Sequence, residues 1–182
     1  GITWQPHGDT LVRAAVFRTL HGRTIHSQTI EPTHVSGFNQ FFDDFAGAVA
    51  WTYGVGVDQK FSPEWYAGIQ FFARDLDVPF SQVDMDGNFS TAEDDWKEDV
   101  GTIYLYWAPC NWVAIGLDYY YEKYERELFG GPEGIREQTT HRFTPHLNFF
   151  HRSGISGGVR ANYIDQEGEF GFSPFYTDGS DR

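Results

Sequence analysis

From about residue 50 to residue 164 the side chains alternate with a period of two, and this constrains the chain more than any other feature. Successive side chains of a β-strand point to opposite sides, so the alternation assigns each residue to one of two faces. Over residues 50–61 one face carries Trp51, Tyr53, Val55, Val57 and Phe61, interrupted only by Gln59. The opposite face carries Ala50, Thr52, Gly54, Gly56, Asp58 and Lys60. Residues 65–75 repeat the division, with Trp65, Ala67, Ile69, Phe71 and Ala73 opposed by Tyr66, Gly68, Gln70, Phe72 and Arg74. Further along, Ile103, Leu105 and Trp107 oppose Glu98, Thr102, Tyr104 and Tyr106, and Val113, Ile115 and Leu117 oppose Ala114, Gly116, Asp118 and Glu122. Phe143, Leu147 and Phe149 then oppose Arg142, Thr144, His146 and Asn148, and Val159, Ala161 and Tyr163 oppose Gly158, Arg160 and Asn162.

Strands with one oily and one polar face suit a membrane barrel, in which lipid-facing and lumen-facing residues alternate and no long apolar run is needed. The mean hydropathy of −0.47 is compatible with that, because averaging over alternating residues conceals the membrane signal. Connection lengths point the same way. Residues 62–64, 109–111 and 152–154 read as tight turns, whereas 77–94 and 127–137 read as long polar loops. Short turns on the periplasmic side and long loops outside are the pattern of an outer-membrane barrel.

Aromatic residues supply a geometric test, since such barrels carry aromatic girdles at both interfaces. Phe61, Trp65, Trp107, Trp112 and Phe149 stand beside the short turns, and Trp51 stands ten residues from Phe61 on the same face. At about 3.3 Å per residue and a tilt of about 40° that spacing gives roughly 25 Å of height, the thickness of the apolar band. The fold expected is therefore all-β, an antiparallel transmembrane β-barrel in the bacterial outer membrane. About eight strands are expected, near residues 10–20, 35–42, 46–61, 64–76, 95–108, 112–126, 137–150 and 155–166. Pro32 argues against one continuous strand through residues 23–41, because proline cannot donate to a central ladder.

Charge excludes one class of partner. Thirteen basic against 26 acidic residues leave a net charge of −13, and nucleic-acid binding needs clustered Lys and Arg. The single Cys110 rules out an intramolecular disulfide framework and reads as a turn residue. His141 and His146, five apart, fall on opposite faces of one strand and do not suit a shared metal. Asp84, Asp86 and Asn88 suggest calcium, but Gly87 stands at the fourth position rather than the sixth of an EF-hand loop and no Glu stands at the twelfth. Asp118 and Glu122 share a face but lie about 13 Å apart along a strand, beyond the range of paired glycosidase carboxylates. No catalytic set, cofactor site or metal site emerges. Asp58, Lys60, Gln70, Arg74, Glu98, Asp118, Glu122, Arg142 and Arg160 read instead as the lining of a wet lumen, where opposite charges on neighbouring strands pair.

The segments QTIEPTHVSGFNQFF (28–42) and YGVGVDQKF (53–61) resemble the Pro-containing approach and following strand in the barrels of TonB-dependent receptors. They also resemble barrels joined to tetratricopeptide repeats in large bacterial outer-membrane proteins. The first resemblance implies receptor-like uptake. The second implies a membrane anchor or export conduit for a periplasmic or extracellular repeat domain. Neither a plug domain nor a helical repeat is visible, and the ending FSPFYTDGSDR lacks the terminal aromatic strand usual in such barrels. The chain starts at Gly1 without a signal peptide, as a mature or truncated exported protein would. Strands missing at one or both ends, supplied by other segments of the same barrel, are therefore expected, with a closed eight-strand barrel as the other option. The functional expectation is transport across the outer membrane, as a pore or receptor-like barrel with outer-membrane lipid as its surroundings. A soluble lipocalin-like barrel, with the oily face inside, is the contrasting possibility.

Overall fold

The computed structural model describes residues 1–21, 34–39, 44, 46–83, 87–126, 134–171 and 176–181, and every regular element among them is a β-strand. In chain order these are β1 (Ile2–His7), β2 (Thr10–Leu20), β3 (His34–Val35), β4 (Phe38–Asn39), β5 (Val49–Lys60) and β6 (Trp65–Val83). They continue with β7 (Phe89–Cys110), β8 (Val113–Arg126), β9 (Gly134–Phe150), β10 (Ser156–Arg160), β11 (Tyr163–Gly171) and β12 (Tyr176–Asp181). Ten of them form one antiparallel sheet in the order β1, β2, β5, β6, β7, β8, β9, β11, β12, with β10 also paired to β9.

Directly opposed residues of an antiparallel pair share a face, so the registers align the alternating sets into rows across the sheet. One row runs Trp4, Val12, Val57, Ile69, Ile103, Tyr119, Phe143, Tyr163, entirely apolar or aromatic. The next row, one residue away, runs Leu11, Asp58, Gly68, Tyr104, Asp118, Thr144. Burial then separates the faces. Along β5, Trp51 is 42% and Val55 58% exposed, while Asp58 between them and the short turn is 7% exposed. Along β5 the apolar face is the outer one and the polar face is covered, whereas β10 is exposed on both faces.

The sheet is not closed. Among the described residues β1 and β12 each have a single neighbour, so the expected barrel is at this stage an open antiparallel sheet. Closure requires the first and last strands to form a ladder, and no such ladder exists among the described residues. The sheet also has ten strands where about eight were expected: it gains β1, β12 and a split strand, and the one expected at 35–42 is not among its members. One addition is β1, whose Pro6 suits an edge position and falls where the β1–β2 register shifts between Trp4 and His7. Another comes from Pro145. Its carbonyl accepts from Ala161 N–H at 3.1 Å, so its ring nitrogen faces the same neighbour without a proton to give. The strand expected at 155–166 is accordingly split into β10 and β11 at residues 161–162.

Two further expectations change. Residues 77–94, read as a long loop, are mostly a ribbon, since β6 and β7 stay paired up to Val83 opposite Phe89. The acidic residues there alternate with Leu76, Val78, Phe80 and Trp96, which is strand chemistry. In the same way β9 starts at Gly134, inside the expected loop 127–137. Of the strand expected at 35–42, the described residues 35–39 lie outside this sheet, and β2 pairs directly with β5 from Thr10–Gln59 to Leu20–Val49. In its place β3 and β4 form a two-residue hairpin closed by Ser36 and Gly37, with φ of 50° and 84°. Positive φ at both central residues is the geometry of a type I′ turn. Pro32 lies outside the described residues.

This hairpin packs on the covered face. Phe38 is 1% exposed and clusters with Ala15, Phe72 and Val100, side chains from β2, β6 and β7. Gly54 makes the contact possible, because a Cβ there would lie 2.6 Å from the Phe38 ring. Two other glycines open room for rings in the same way. A Cβ on Gly116 would meet His146 at 2.1 Å, and one on Gly68 would meet Tyr104 at 2.3 Å. Aromatic rings laid over strand glycines compensate for the missing side chain and pin the register.

Candidate functional site on the covered polar face

Three polar clusters line the covered face, each built from residues that the alternation brings inward. The first is at Asp58 on β5. Arg13 of β2 donates from Nε to Asp58 Oδ2 at 2.9 Å and from Nη2 to Gln70 Oε1 at 3.2 Å. The Tyr104 hydroxyl donates to the other oxygen of Asp58. The same guanidinium stacks over Phe38 at 5.3 Å and reaches the Ser36 carbonyl at 3.4 Å, tying the inner hairpin to the sheet.

The second cluster centres on Arg74, which is 3% exposed. Its Nη1 lies 2.5 Å from Glu98 Oε2 on β7 and its Nη2 lies 2.6 Å from Asp44 Oδ2. Arg74 and Glu98 are opposed in register, so this is a direct cross-strand pair. A charge so well covered is tolerable only when paired, and two carboxylates hold this one.

The third cluster occupies β7 to β11. Asp118 accepts from the Tyr106 hydroxyl at 2.8 Å on Oδ1, and its Oδ2 is 3.4 Å from His146 Nδ1. Tyr66, Tyr104, Tyr106 and His146 follow one another as a row of stacked or tilted rings, with centroids 5.6, 5.2 and 5.6 Å apart. Lys60 faces this row across a hollow it shares with Tyr66, Tyr106 and His146. Arg142 lies over the Tyr120 ring at 4.6 Å, and Glu122 stands on β8 between Val100 and Thr140. Arg160 projects from β10 beside the Thr144–Asn162 hydrogen bond of 2.9 Å.

The nine residues read as a lining thus divide by surroundings. Asp58, Gln70, Arg74 and Glu98 belong to closed networks, Asp118 to a cluster with Tyr106 and His146, and Lys60, Glu122, Arg142 and Arg160 have no side-chain ion pair among the described residues. Arg13, Asp44, Tyr104 and Tyr106 complete the networks and were not singled out in the sequence. Arg13 sits in phase with Leu11, Ala15 and Phe17, so a two-face reading of TLVRAAVFRTL could have found it. Asp44 has no such signal, because it lies outside the regular strands.

On the outer face Trp65 stacks on Trp107 at 5.3 Å and Trp112 on Phe149 at 6.4 Å, beside the short turns with Phe61. Trp51 stands at the far end of β5, with the Arg18 guanidinium 5.9 Å over its ring. Trp4 of β1, an aromatic absent from the expected girdle, stands through its register with Val12 level with Val57 and Ile69, between the two ends of the band. On the same face, level with Tyr53 through Ala73 and Asp99, Lys123 pairs with Glu125 and, at 3.1 Å, with Glu137.

His141 and His146 lie on opposite faces, His141 against Tyr119 and Tyr121 outside and His146 inside. Asp84 and Asp86 lie outside the described residues. Among the described residues no group of three or more His, Cys, Asp or Glu could hold a metal ion. Comparison with protein-family models, curated proteins and solved structures gives no match for this chain.

Proposed function

We propose that this chain is wall of an outer-membrane β-barrel that acts in transport, as a pore or as a receptor-like uptake barrel. The observation that carries this reading is the inverted burial: the face bearing Trp51, Val55, Val57, Ile69, Phe71, Ile103 and Leu105 is exposed, while Asp58, Thr52 and Arg74 are covered. Soluble proteins rarely present a contiguous apolar surface of this extent, and lipid is the solvent that suits it. A lipocalin-like barrel needs the opposite arrangement, with the oily face inside. In lipid the unpaired groups of β1 and β12 need partners, so the reading requires further strands along both edges, from the same protein or from a second copy. Receptor-like uptake, as against a simple pore, rests on the resemblance of residues 28–42 and 53–61 to TonB-dependent receptor barrels.

The test is reconstitution of the full-length protein into planar bilayers and vesicles. Channel conductance or solute uptake is the expected result. Insertion with neither would sink the transport reading and favour a membrane anchor or export conduit for a repeat domain. Failure to partition into detergent or lipid at all would overturn the membrane reading itself.

A further inference from the structure

On the inner face Arg13 is paired with Asp58, and Arg74 with Asp44 and Glu98. Arg142 and Arg160 are different. They line one hollow of about 490 Å³ on the same face, and no carboxylate of the described residues lies within ion-pair distance of either guanidinium. Both are exposed, and in a chain with 26 acidic residues against 13 basic ones neither has an acidic partner among the described residues.

The carboxylate in the hollow is Asp118, whose Oδ1 accepts from the Tyr106 hydroxyl at 2.8 Å and whose Oδ2 lies 3.4 Å from His146 Nδ1 without a hydrogen bond. Glu122, the other acid on this face of β8, makes no ion pair with Arg142. The Arg142 guanidinium carbon lies over the Tyr120 ring, 4.6 Å from its centroid, a cation–π contact that leaves its N–H groups available. Between the two arginines the Thr144 hydroxyl donates to Asn162 Oδ1, which leaves the Asn162 amide hydrogens as further donors. Arg160 opposes His146, four residues along β9 from Arg142, so the two backbones are about 13 Å apart and the donors converge on the space between.

We infer that Arg142, Arg160 and Asn162 form a binding subsite for a small soluble oxyanion, a carboxylate or phosphate group. Two guanidinium forks and an amide supply the bidentate, charge-assisted donors that such groups take. If the wall reading above holds, the subsite lies in the lumen and deepens it by giving the transported solute an anionic group. It does not depend on membrane insertion, and its test is therefore separate.

The full chain in detergent is titrated with inorganic phosphate and then citrate at low ionic strength, and the arginine Nε–Hε resonances are followed by NMR. Two of these signals, identified by their loss in Arg142→Gln and Arg160→Gln, should shift saturably with both probes and not with chloride at equal ionic strength. Arg142→Gln/Arg160→Gln together, with an otherwise unchanged amide spectrum, should weaken binding at least about tenfold. Arg142→Lys/Arg160→Lys should retain part of the phosphate binding, because lysine binds phosphate as a point charge. Signals that stay still, that respond equally to chloride, or binding unchanged in the double Gln variant would each overturn the subsite. Bilayer conductance plays no part in the readout, so loss of the transport reading would leave this result standing.

Discussion

Placing a charge on the outer face at Val55 separates lipid from water as the medium around the sheet. Val55 is 58% exposed and faces Ala14 on β2 and Phe71 on β6. It is four residues from Trp51 and six from Phe61. At about 3.3 Å per residue and a tilt of about 40°, these spacings put it roughly 10 Å from one end of the apolar band and roughly 15 Å from the other. An arginine near the midplane of a barrel costs about 2–4 kcal/mol, whereas an exposed valine in water tolerates the change within about 0.5 kcal/mol. The control is Phe89, which is 82% exposed and opposes Val83, and 83 − 75 = 8 residues separate Val83 from Asp75, the partner of Trp51. Phe89 thus stands about 20 Å above the band edge, and Phe89→Arg should be near neutral. Folding of Val55→Arg and Phe89→Arg in phosphatidylcholine vesicles, followed by tryptophan fluorescence against urea, gives both values from the midpoints when the slopes agree. A Val55→Arg change within about 0.5 kcal/mol of the parent, or an equal loss in Phe89→Arg, would refute the lipid-facing argument.

Three other changes test the covered face. Arg74→Met should destabilise by about 3–5 kcal/mol in a urea titration, because Asp44 and Glu98 are left covered and unpaired, and Glu98→Gln should cost less. Gly68→Val should cost about 1–3 kcal/mol, since its Cβ falls 2.3 Å from the Tyr104 ring. Adding Tyr104→Ala should recover part of that loss in a double-mutant cycle, and strict additivity would count against the close contact. Pro145→Thr should restore a ladder donor toward Ala161 and stabilise by about 0.5–1.5 kcal/mol. Slow hydrogen exchange of the new amide at position 145 is the expected signature, and free exchange would show that β10 and β11 are separated for another reason.

Much of the wall was legible because strand alternation is a local property. Val57, Ile69, Ile103, Tyr119 and Phe143 could each be assigned to a face from near neighbours alone, and the registers then place them in one row. The register that opposes Arg74 to Glu98 was not legible in this way, because residues 77–94 read as a long loop and not as the paired ribbon that sets it. The Pro145 interruption was also open to reading, because a proline inside a central strand must cost a ladder bond. Other features left no local trace. The links from Arg13 to Asp58 and from Arg74 to Asp44 join residues far apart in sequence, through a connection whose path the alternation does not describe.

What the sequence determined by itself is therefore the all-β, antiparallel character of the chain and the division of residues between two faces. Period two, turn chemistry and cross-strand register all act over a few residues. It did not determine which face is covered, because an alternating strand suits an oily interior and an oily exterior equally well. The tertiary structure made that choice by folding the Phe38 hairpin and the ion pairs of Asp58 and Arg74 onto the polar side. It also decided that the sheet stays open, since closure depends on whether β1 and β12 meet, a long-range contact with no local signature.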